Sequence, residues 1–214
     1  MTDPGTTAAA QAFAVRLPPS WFEIDLWRAT RTGELARAVD RRIEQTPELA
    51  PVRGAVLRFL REVAVDAERR GMVFAAAVAE PLEGGELLVA TAAGVVAAAP
   101  PGTDPHDVDA VASQLTSVPP TRTAAGNDTW RRVEVVRLPV GKAVRVTAVE
   151  ETAWADGRTV PCVSMHTLLP VPGEPAALDF VLTSPHAGLA DAMLDLFAAI
   201  TETLEWTAGN VPGE

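Results

Sequence analysis

The chain has 214 residues, of which 48% are hydrophobic and 21% charged, so it is long enough to form one domain with a sizeable core. Its formal net charge of −10 disfavours a general affinity for nucleic acids and for anionic membranes. Cys162 is the only cysteine, which excludes an intrachain disulfide bond and a cysteine-rich metal site. We expect neither a bound cofactor nor a bound metal.

Both ends of the sequence are predicted to be tails around a single domain. Residues 1–11 are expected to be disordered, residues 12–206 to form the domain, and residues 207–214 to be flexible. The first residues lack a basic region followed by an apolar run, and no stretch reaches the ~20 apolar residues of a membrane span. These features predict a cytoplasmic protein with a reduced cysteine.

The charges are unevenly distributed along the chain. Residues 1–70 carry 11 basic and 10 acidic side chains, whereas residues 71–214 carry 7 basic and 18 acidic ones. A basic partner could bind the acidic part, although an acidic surface that keeps an apolar-rich protein soluble is the simpler explanation.

The first third of the chain predicts two strands and then two helices. Residues 13–17 form a short strand candidate, and residues 21–27 alternate between apolar and acidic side chains as a half-buried strand does. Thr30 or Thr32 can cap the first helix, and Gly71 ends the second. The apolar side chains that recur at helical spacing are Leu35, Val39 and Ile43, then Val52, Val56, Phe59, Leu60, Val63 and Ala67.

A different periodicity begins at Met72. Apolar runs at residues 72–79, 87–91 and 95–98 predict a meander of buried strands, with Gly84, Gly85 and Gly94 as turns. A short helix follows, with Asp104 as its cap and Asp107 near the first-turn amides; its apolar face comprises Val108, Val111, Ala112 and Leu115. Residues 119–128 are predicted to be a loop.

The remaining sequence predicts hairpins and a closing helix. Turns are expected at residues 139–142, at Asp156 and Gly157, and at residues 172–175, before a buried strand over residues 177–183. Ser184 can then cap a helix with Pro185 in its first turn. The apolar stripe of that helix comprises Leu189, Met193, Leu196, Phe197, Ile200 and Leu204, and we expect it to pack on the preceding strand.

Three stretches resemble, in this order, the Mog1/PsbP-like family. They are Leu-Pro-Pro-Ser-Trp at residues 17–21, Arg-Leu-Pro-Val-Gly-Lys-Ala-Val-Arg at residues 137–145, and the helix that follows Thr-Ser-Pro at residues 183–185 and ends at Leu-Glu-Trp, residues 204–206. That family has an antiparallel sheet between helices, and it includes a Ran-GTPase-binding protein, photosystem accessory proteins and actinobacterial proteins of unknown role. The resemblance implies an α+β fold of the α/β/α sandwich type and a role in binding or assembly rather than catalysis, and it carries over no functional residues.

Two groups of residues could in principle be catalytic. Cys162, Ser164 and His166 point to one face of a strand, but their spacing is too wide for direct hydrogen bonds, so packing on a sheet explains them more simply. Ser184 and His186, with Asp191 or Asp179 as the orienting acid, could form a hydrolase site. They lack the Gly-x-Ser-x-Gly turn that exposes such a nucleophile, and a capping role explains Ser184.

A metal site could in principle lie at His106 together with Asp104, Asp107 and Asp109. Carboxylates in the first turn of a helix are stabilised by the helix dipole, which explains the acidic residues without a metal.

A partner surface is predicted at Trp130, Arg131, Arg132 and Trp154, because exposed aromatic and arginine side chains commonly anchor protein interfaces. The simpler alternative for these residues is local packing under a loop. We therefore expect a non-catalytic protein-interaction module, an adaptor or accessory subunit that binds another protein or itself. The alternative is a small-ligand-binding protein or hydrolase with a pocket between the sheet and the C-terminal helix, which would use Ser164, His166 or His186.

Overall fold

The protein has an α+β fold with a large antiparallel sheet. The structure, a computed structural model, describes residues 11–26, 32–82, 86–117, 129–153 and 159–208. The strands in these residues are β1 (Gln11–Ala14), β2 (Trp21–Glu23), β3 (Phe74–Pro81), β4 (Leu87–Ala98), β5 (Trp130–Leu138), β6 (Gly141–Ala153), β7 (Thr159–Pro170), β8 (Ala176–Ser184) and β9 (Glu205–Ala208). The α-helices are α1 (Thr32–Gln45), α2 (Arg53–Arg69), α3 (Val108–Thr116) and α4 (Ala190–Thr201), with 3-10 segments at Pro47–Val52 and Ala187–Leu189.

Seven of the strands form one sheet in the order β2-β3-β4-β8-β7-β6-β5, and every neighbouring pair is antiparallel. β1 and β9 pair separately as a two-stranded ribbon. Gln11 and Thr207, which the sequence assigned to the tails, are part of this ribbon. None of the helices in the described ranges combines the length and the apolar character needed to cross a lipid bilayer.

Several predicted features lie outside the described residues. They are Trp27, Thr30, the Gly84-Gly85 turn, the loop at residues 119–128, and Trp154 with the Asp156-Gly157 turn.

The turns on either side of β6 and β7 have the expected chemistry. Leu138 pairs with Gly141 across a two-residue turn, as the sequence predicted for residues 139–142. Gly141 has a φ of +138° and Gly173, between β7 and β8, a φ of +76°, conformations that favour glycine. These two turns set the registers of β5 on β6 and of β7 on β8.

One face of the sheet is covered by α4, and we call it the closed face. Along β8 it bears Leu178, Phe180 and Leu182, all fully buried. The predicted C-terminal helix packs on it through Met193, Phe197 and Ile200, and Leu204, which follows the end of α4 instead of lying within the helix, is buried with them; each is at most 5% exposed. Leu189 departs from the predicted stripe: it is 42% exposed because it lies in the 3-10 segment before α4.

The role predicted for Ser184 is corrected by the structure. Ser184 is the last residue of β8, and α4 begins only at Ala190. Its hydroxyl donates to Val89 O at 2.8 Å instead of accepting from helix amides, and the N–H of His186 donates to the same hydroxyl at 3.3 Å. The side chain therefore extends strand pairing rather than capping a helix.

The predicted turn at Gly94 is also wrong, because β4 runs unbroken from Leu87 to Ala98. The glycine is explained by the β1–β9 ribbon, which packs on the closed face. A Cβ atom at Gly94 would lie 2.9 Å from the Phe13 ring, and that ring makes edge contacts with Phe74 and Phe180. Gly94 thus provides room for an aromatic ring rather than a turn.

On the opposite face of the sheet, the helices in the described residues pack only at its two ends, and we call it the open face. At one end α1, α2 and the 3-10 segment between them bury Val39, Leu49, Val56 and Leu60 against β2 and β3. At the other end α3 packs Val108 and Ala112 against Val144 and Val146 of β6. The helix pair predicted between residues 32 and 70 is thereby confirmed, with a 3-10 link at Pro47.

The start of α3 differs from the prediction. Asp107, not Asp104, is the N-cap, because its carboxylate accepts from the amide of Ala110 at 3.0 Å. Asp104 instead accepts from the amide of His106 at 2.9 Å in the preceding turn.

Candidate binding groove

The centre of the open face, formed by β4, β8 and β7, lies between the two groups of helices. Along β8, Asp179, Val181 and Thr183 are only half-buried, whereas the alternating residues on the closed face are fully buried. The sequence of β8 carries part of this signal, because the polar Asp179 and Thr183 lie on the face opposite to its large apolar side chains, although Val181 between them is apolar. The prediction of a buried strand is therefore correct for one face of β8, while the other face is only half-buried.

A groove of about 810 Å³ lies over this central strip, with α2 as its wall. Its floor includes Ala93, Val95 and Val181, together with the hydroxyl-bearing Thr91 and Thr183. Pockets of 300–1,000 Å³ that combine apolar lining with a few polar groups are typical of ligand sites.

The wall of the groove follows from the pattern of α2. Its apolar stripe is wider than the surface that β3 covers, so Val56 and Leu60 are fully buried while Phe59 and Val63 are half-buried and line the groove. The predicted stripe is therefore correct, but part of it contributes to a concave surface instead of the core.

Arginine side chains line the rim of the groove along α2. Arg58, Arg61 and Arg69 are exposed, and none of them forms an ion pair within the described ranges. Arg70 differs, since its Nε lies 2.9 Å from the carboxylate of Asp66. The lining also includes the carboxylates of Glu62, Asp66 and Asp179, so arginines outnumber acidic side chains at the groove by four to three, on a chain whose net charge is −10.

His166 and Asp179 form a pair at the groove. His166 Nδ1 lies 3.1 and 3.2 Å from the two carboxylate oxygens of Asp179, and since a carboxylate only accepts, Nδ1–H is the donor. The side chains are 40% and 29% exposed. In the neutral imidazole Nε2 is then unprotonated and can accept a proton or a hydrogen bond. Asp179, a candidate orienting acid for His186 in the sequence analysis, contacts His166 instead.

The predicted face shared by Cys162, Ser164 and His166 is present on β7, opposite to buried Met165. Burial raises the pKa of the Cys162 thiol to about 11, although a hydrogen bond with Thr152 acts in the opposite direction. The thiol is therefore protonated at neutral pH and is a poor nucleophile.

Ser184 and His186 do not form a catalytic pair. Both side chains bind the backbone of Val89: the serine hydroxyl donates to its carbonyl, and His186 Nε2 accepts from its amide at 3.1 Å. These contacts provide hydrogen-bond partners for the backbone of β4 at a residue that β8 is too short to reach. The role of both side chains is therefore structural.

The predicted metal residues are also accounted for by local contacts. His106 Nε2 lies 3.1 Å from Glu174 O, and Asp109 forms an ion pair with Lys142 at 3.2 Å. Among the residues that the structure describes, no group of three or more His, Cys, Asp or Glu side chains could hold a metal ion.

The predicted partner residues on β5 are divided between the two faces of the sheet. Trp130 is 37% exposed and lies opposite Val149, and Arg132 is exposed on the same side. Arg131 points to the other side, where its guanidinium donates to Leu115 O at 2.9 Å near the end of α3.

The interface between α4 and the closed face is filled by apolar side chains, with Phe197 fully buried and Ile200 2% exposed. This packing counts against a pocket between the sheet and the C-terminal helix. The groove lies on the opposite face.

No protein-family model and no curated protein matches the chain. Among solved structures, it is similar to LpqN, described as involved in cell envelope biogenesis of Mycobacterium tuberculosis. The two share 10% sequence identity with a TM-score of 0.45, and the match covers 93% of this chain and 85% of LpqN. A likeness at this level carries no argument about function, and membership of the Mog1/PsbP-like family stays a prediction.

Proposed function

We propose that this protein is a non-catalytic protein-interaction module and that its groove binds an acidic, partly apolar segment of another protein. The observation that carries the proposal is the arginine rim beside an apolar strip of sheet that none of the described elements covers. A concave apolar surface with unpaired charges at its edge is the arrangement that binding sites use.

The apolar part of the proposed partner follows from the floor of the groove. Ala93, Val95 and Val181 are half-buried, and Val65 on α2 is 54% exposed. Burial of these side chains by a partner would remove apolar surface from water, which stabilises the complex.

The acidic part follows from the rim. Arg58 and Arg69 are eleven residues apart on α2, which spans roughly 16 Å at 1.5 Å per residue. A single anionic group cannot contact both ends of such a rim. A segment with several carboxylates can, and guanidinium groups bind carboxylates in a bidentate manner.

We further propose that the fold is the α/β/α sandwich of the Mog1/PsbP-like type. The support is the contact of α4 with the closed face and of α1, α2 and α3 with the open face.

The groove is tested with a fluorescein-labelled peptide in which glutamate alternates with leucine, and with the matched peptide that has glutamine in place of glutamate. We expect the acidic peptide to bind the wild type. The triple variant Arg58→Glu, Arg61→Glu, Arg69→Glu should bind the same peptide with an affinity at least about tenfold lower. Three exposed ion pairs at roughly 0.5 kcal/mol each amount to about that factor. Fluorescence anisotropy measures both affinities.

The matched control is Arg41→Glu, which reverses an exposed arginine on α1 outside the groove. Its affinity should equal that of the wild type at the same ionic strength. Equal binding by the triple variant, or equal affinity for the glutamine peptide, would contradict the proposal.

A second candidate function is small-ligand binding or hydrolysis in the same groove, favoured by the His166–Asp179 pair. Asp179 orients the imidazole so that Nε2 is available as a general base. Hydrolysis of p-nitrophenyl acetate should then be lost in His166→Ala, be reduced in Asp179→Asn, and persist in the control His106→Ala. A wild type without turnover above the buffer rate would exclude this esterase activity.

A further inference from the structure

Strand β5 is one edge of the seven-stranded sheet. It is nine residues long, contains no proline, and pairs only with β6 in the described part of the chain. A long edge strand presents a row of unpaired backbone N–H and C=O groups, which can receive another strand. Two of its large apolar side chains are exposed, Trp130 and Val135, each at 37%.

The turn between β5 and β6 determines which backbone groups lie on the outer edge. Leu138 and Gly141 flank a two-residue turn, so the backbone of Leu138 bonds to β6. Because hydrogen-bonded and non-hydrogen-bonded residues alternate along an antiparallel strand, every second residue before Leu138 also bonds to β6. Val133, Val135 and Arg137 are therefore among the residues whose N–H and C=O groups point away from β6.

A second copy of β5 can pair with this edge about a two-fold axis perpendicular to the sheet. Residues whose backbone groups point outwards must then face the same kind of residue in the second copy. The axis therefore passes midway between one residue and the same residue of the second copy. With the axis at Val133, Arg132 lies opposite Glu134 of the second copy, and this pair occurs twice. Trp130 then lies opposite Val136 of the second copy, also twice.

The neighbouring registers are less favourable. An axis at Arg132 or at Glu134 places two like charges directly opposite each other, which is destabilising. An axis at Val135 leaves Glu134 opposite Val136 and Arg132 opposite Leu138, with no charge pair. Only the axis at Val133 places opposite charges together and apolar side chains together.

We propose that two copies of this chain associate through β5, antiparallel and with the two-fold axis at Val133, so that the sheet continues across the dimer. The interface uses Trp130 and Arg132, two of the residues predicted as a partner surface. It is independent of the groove, which lies over β4, β8 and β7, so the two proposals can fail separately.

Charge exchange tests the proposed pairing. Arg132→Glu and Glu134→Arg should each weaken the dimer about tenfold or more, because each places like charges opposite each other at two positions. The double variant restores opposite charges, so its dissociation constant should return to within about threefold of the wild-type value. Sedimentation equilibrium measures all four constants. A wild type that stays monomeric at millimolar concentration would overturn the proposal, as would a double variant weaker than either single one.

Cysteine cross-linking tests the register in a Cys162→Ala background, which removes the only native thiol. Val133→Cys should form an intermolecular disulfide on mild oxidation, because hydrogen-bonded antiparallel partners have Cα atoms about 5.5 Å apart, within disulfide range. Val135→Cys is the matched control, since its two copies would be about 13 Å apart along the strands. A disulfide in the control but not at residue 133 would overturn the register.

Discussion

Alternate residues of β8 differ in burial, because they lie on opposite faces of the sheet. Leu178, Phe180 and Leu182 are fully buried under α4, whereas Asp179 and Val181 are half-buried beside the groove. Burial of large apolar side chains contributes most of the free energy of folding, so the closed face stabilises the domain. Along β8 the open face is less buried and contributes less to stability, and none of the described helices covers it there.

The largest expected change in the free energy of unfolding is that of Leu182→Ala, and its neighbour Val181 on the other face serves as the comparison. Leu182→Ala should lower the free energy of unfolding by about 2–5 kcal/mol, because it removes a fully buried side chain and leaves a cavity. Val181→Ala should cost about 1 kcal/mol or less, because this side chain is only half-buried. Urea unfolding monitored by circular dichroism measures both values. Equal losses would show that the open face is as tightly packed as the closed one.

An intermediate effect is expected where the β1–β9 ribbon packs on the closed face. Gly94→Ala should destabilise the protein by about 1–3 kcal/mol, since the new Cβ would lie 2.9 Å from the Phe13 ring and force it to move. In a Phe13→Ala background the same substitution should cost much less, because the obstructing ring is absent. A thermal-unfolding double-mutant cycle gives the coupling. Additive effects of the two substitutions would mean that the ring does not pack on the glycine.

The last effect is confined to alkaline pH and concerns Cys162, which is buried although it shares the open face. Its folded-state pKa is raised by burial from 9.0 to about 11, so between these pH values the unfolded state has lost a proton that the folded state retains. The free energy of unfolding should therefore fall as the pH rises from 9 to 11. Cys162→Ala should lack this part of the pH dependence. Urea titrations of both proteins at pH 8 and pH 10.5 measure the difference, and identical slopes would contradict the burial of the thiol.

Much of the closed face could be predicted from local patterns. The stripe of Met193, Phe197 and Ile200 follows from helical periodicity, and the strand before it follows from its β-branched and aromatic residues. The precise start of the helix could not be predicted, because Ser184 can satisfy either a helix amide or a strand carbonyl, and only the position of Val89 decides between them.

The groove could not be predicted, because it depends on which part of the sheet the described helices leave uncovered. The width of the gap between α2 and α3 depends on the strand order, in which β4 lies beside β8. These two strands are some 90 residues apart in the sequence, and local patterns do not show that they pair. Likewise, the His166–Asp179 contact depends on the register set by the turn at Gly173. Two signals are nevertheless present in the sequence: Asp179 and Thr183 on the accessible face of β8, and the arginines on the exposed side of the α2 stripe.

The β1–β9 ribbon also constrains when the protein can finish folding during synthesis. Residues 11–14 are made first, yet their partners at residues 205–208 leave the ribosome almost 200 residues later. Until then Phe13 has no strand to hold it over Gly94, and the aromatic cluster on the closed face stays incomplete. Contacts of such long sequence separation slow folding. A nascent chain arrested before β9 should therefore remain open to proteases and chaperones at this face.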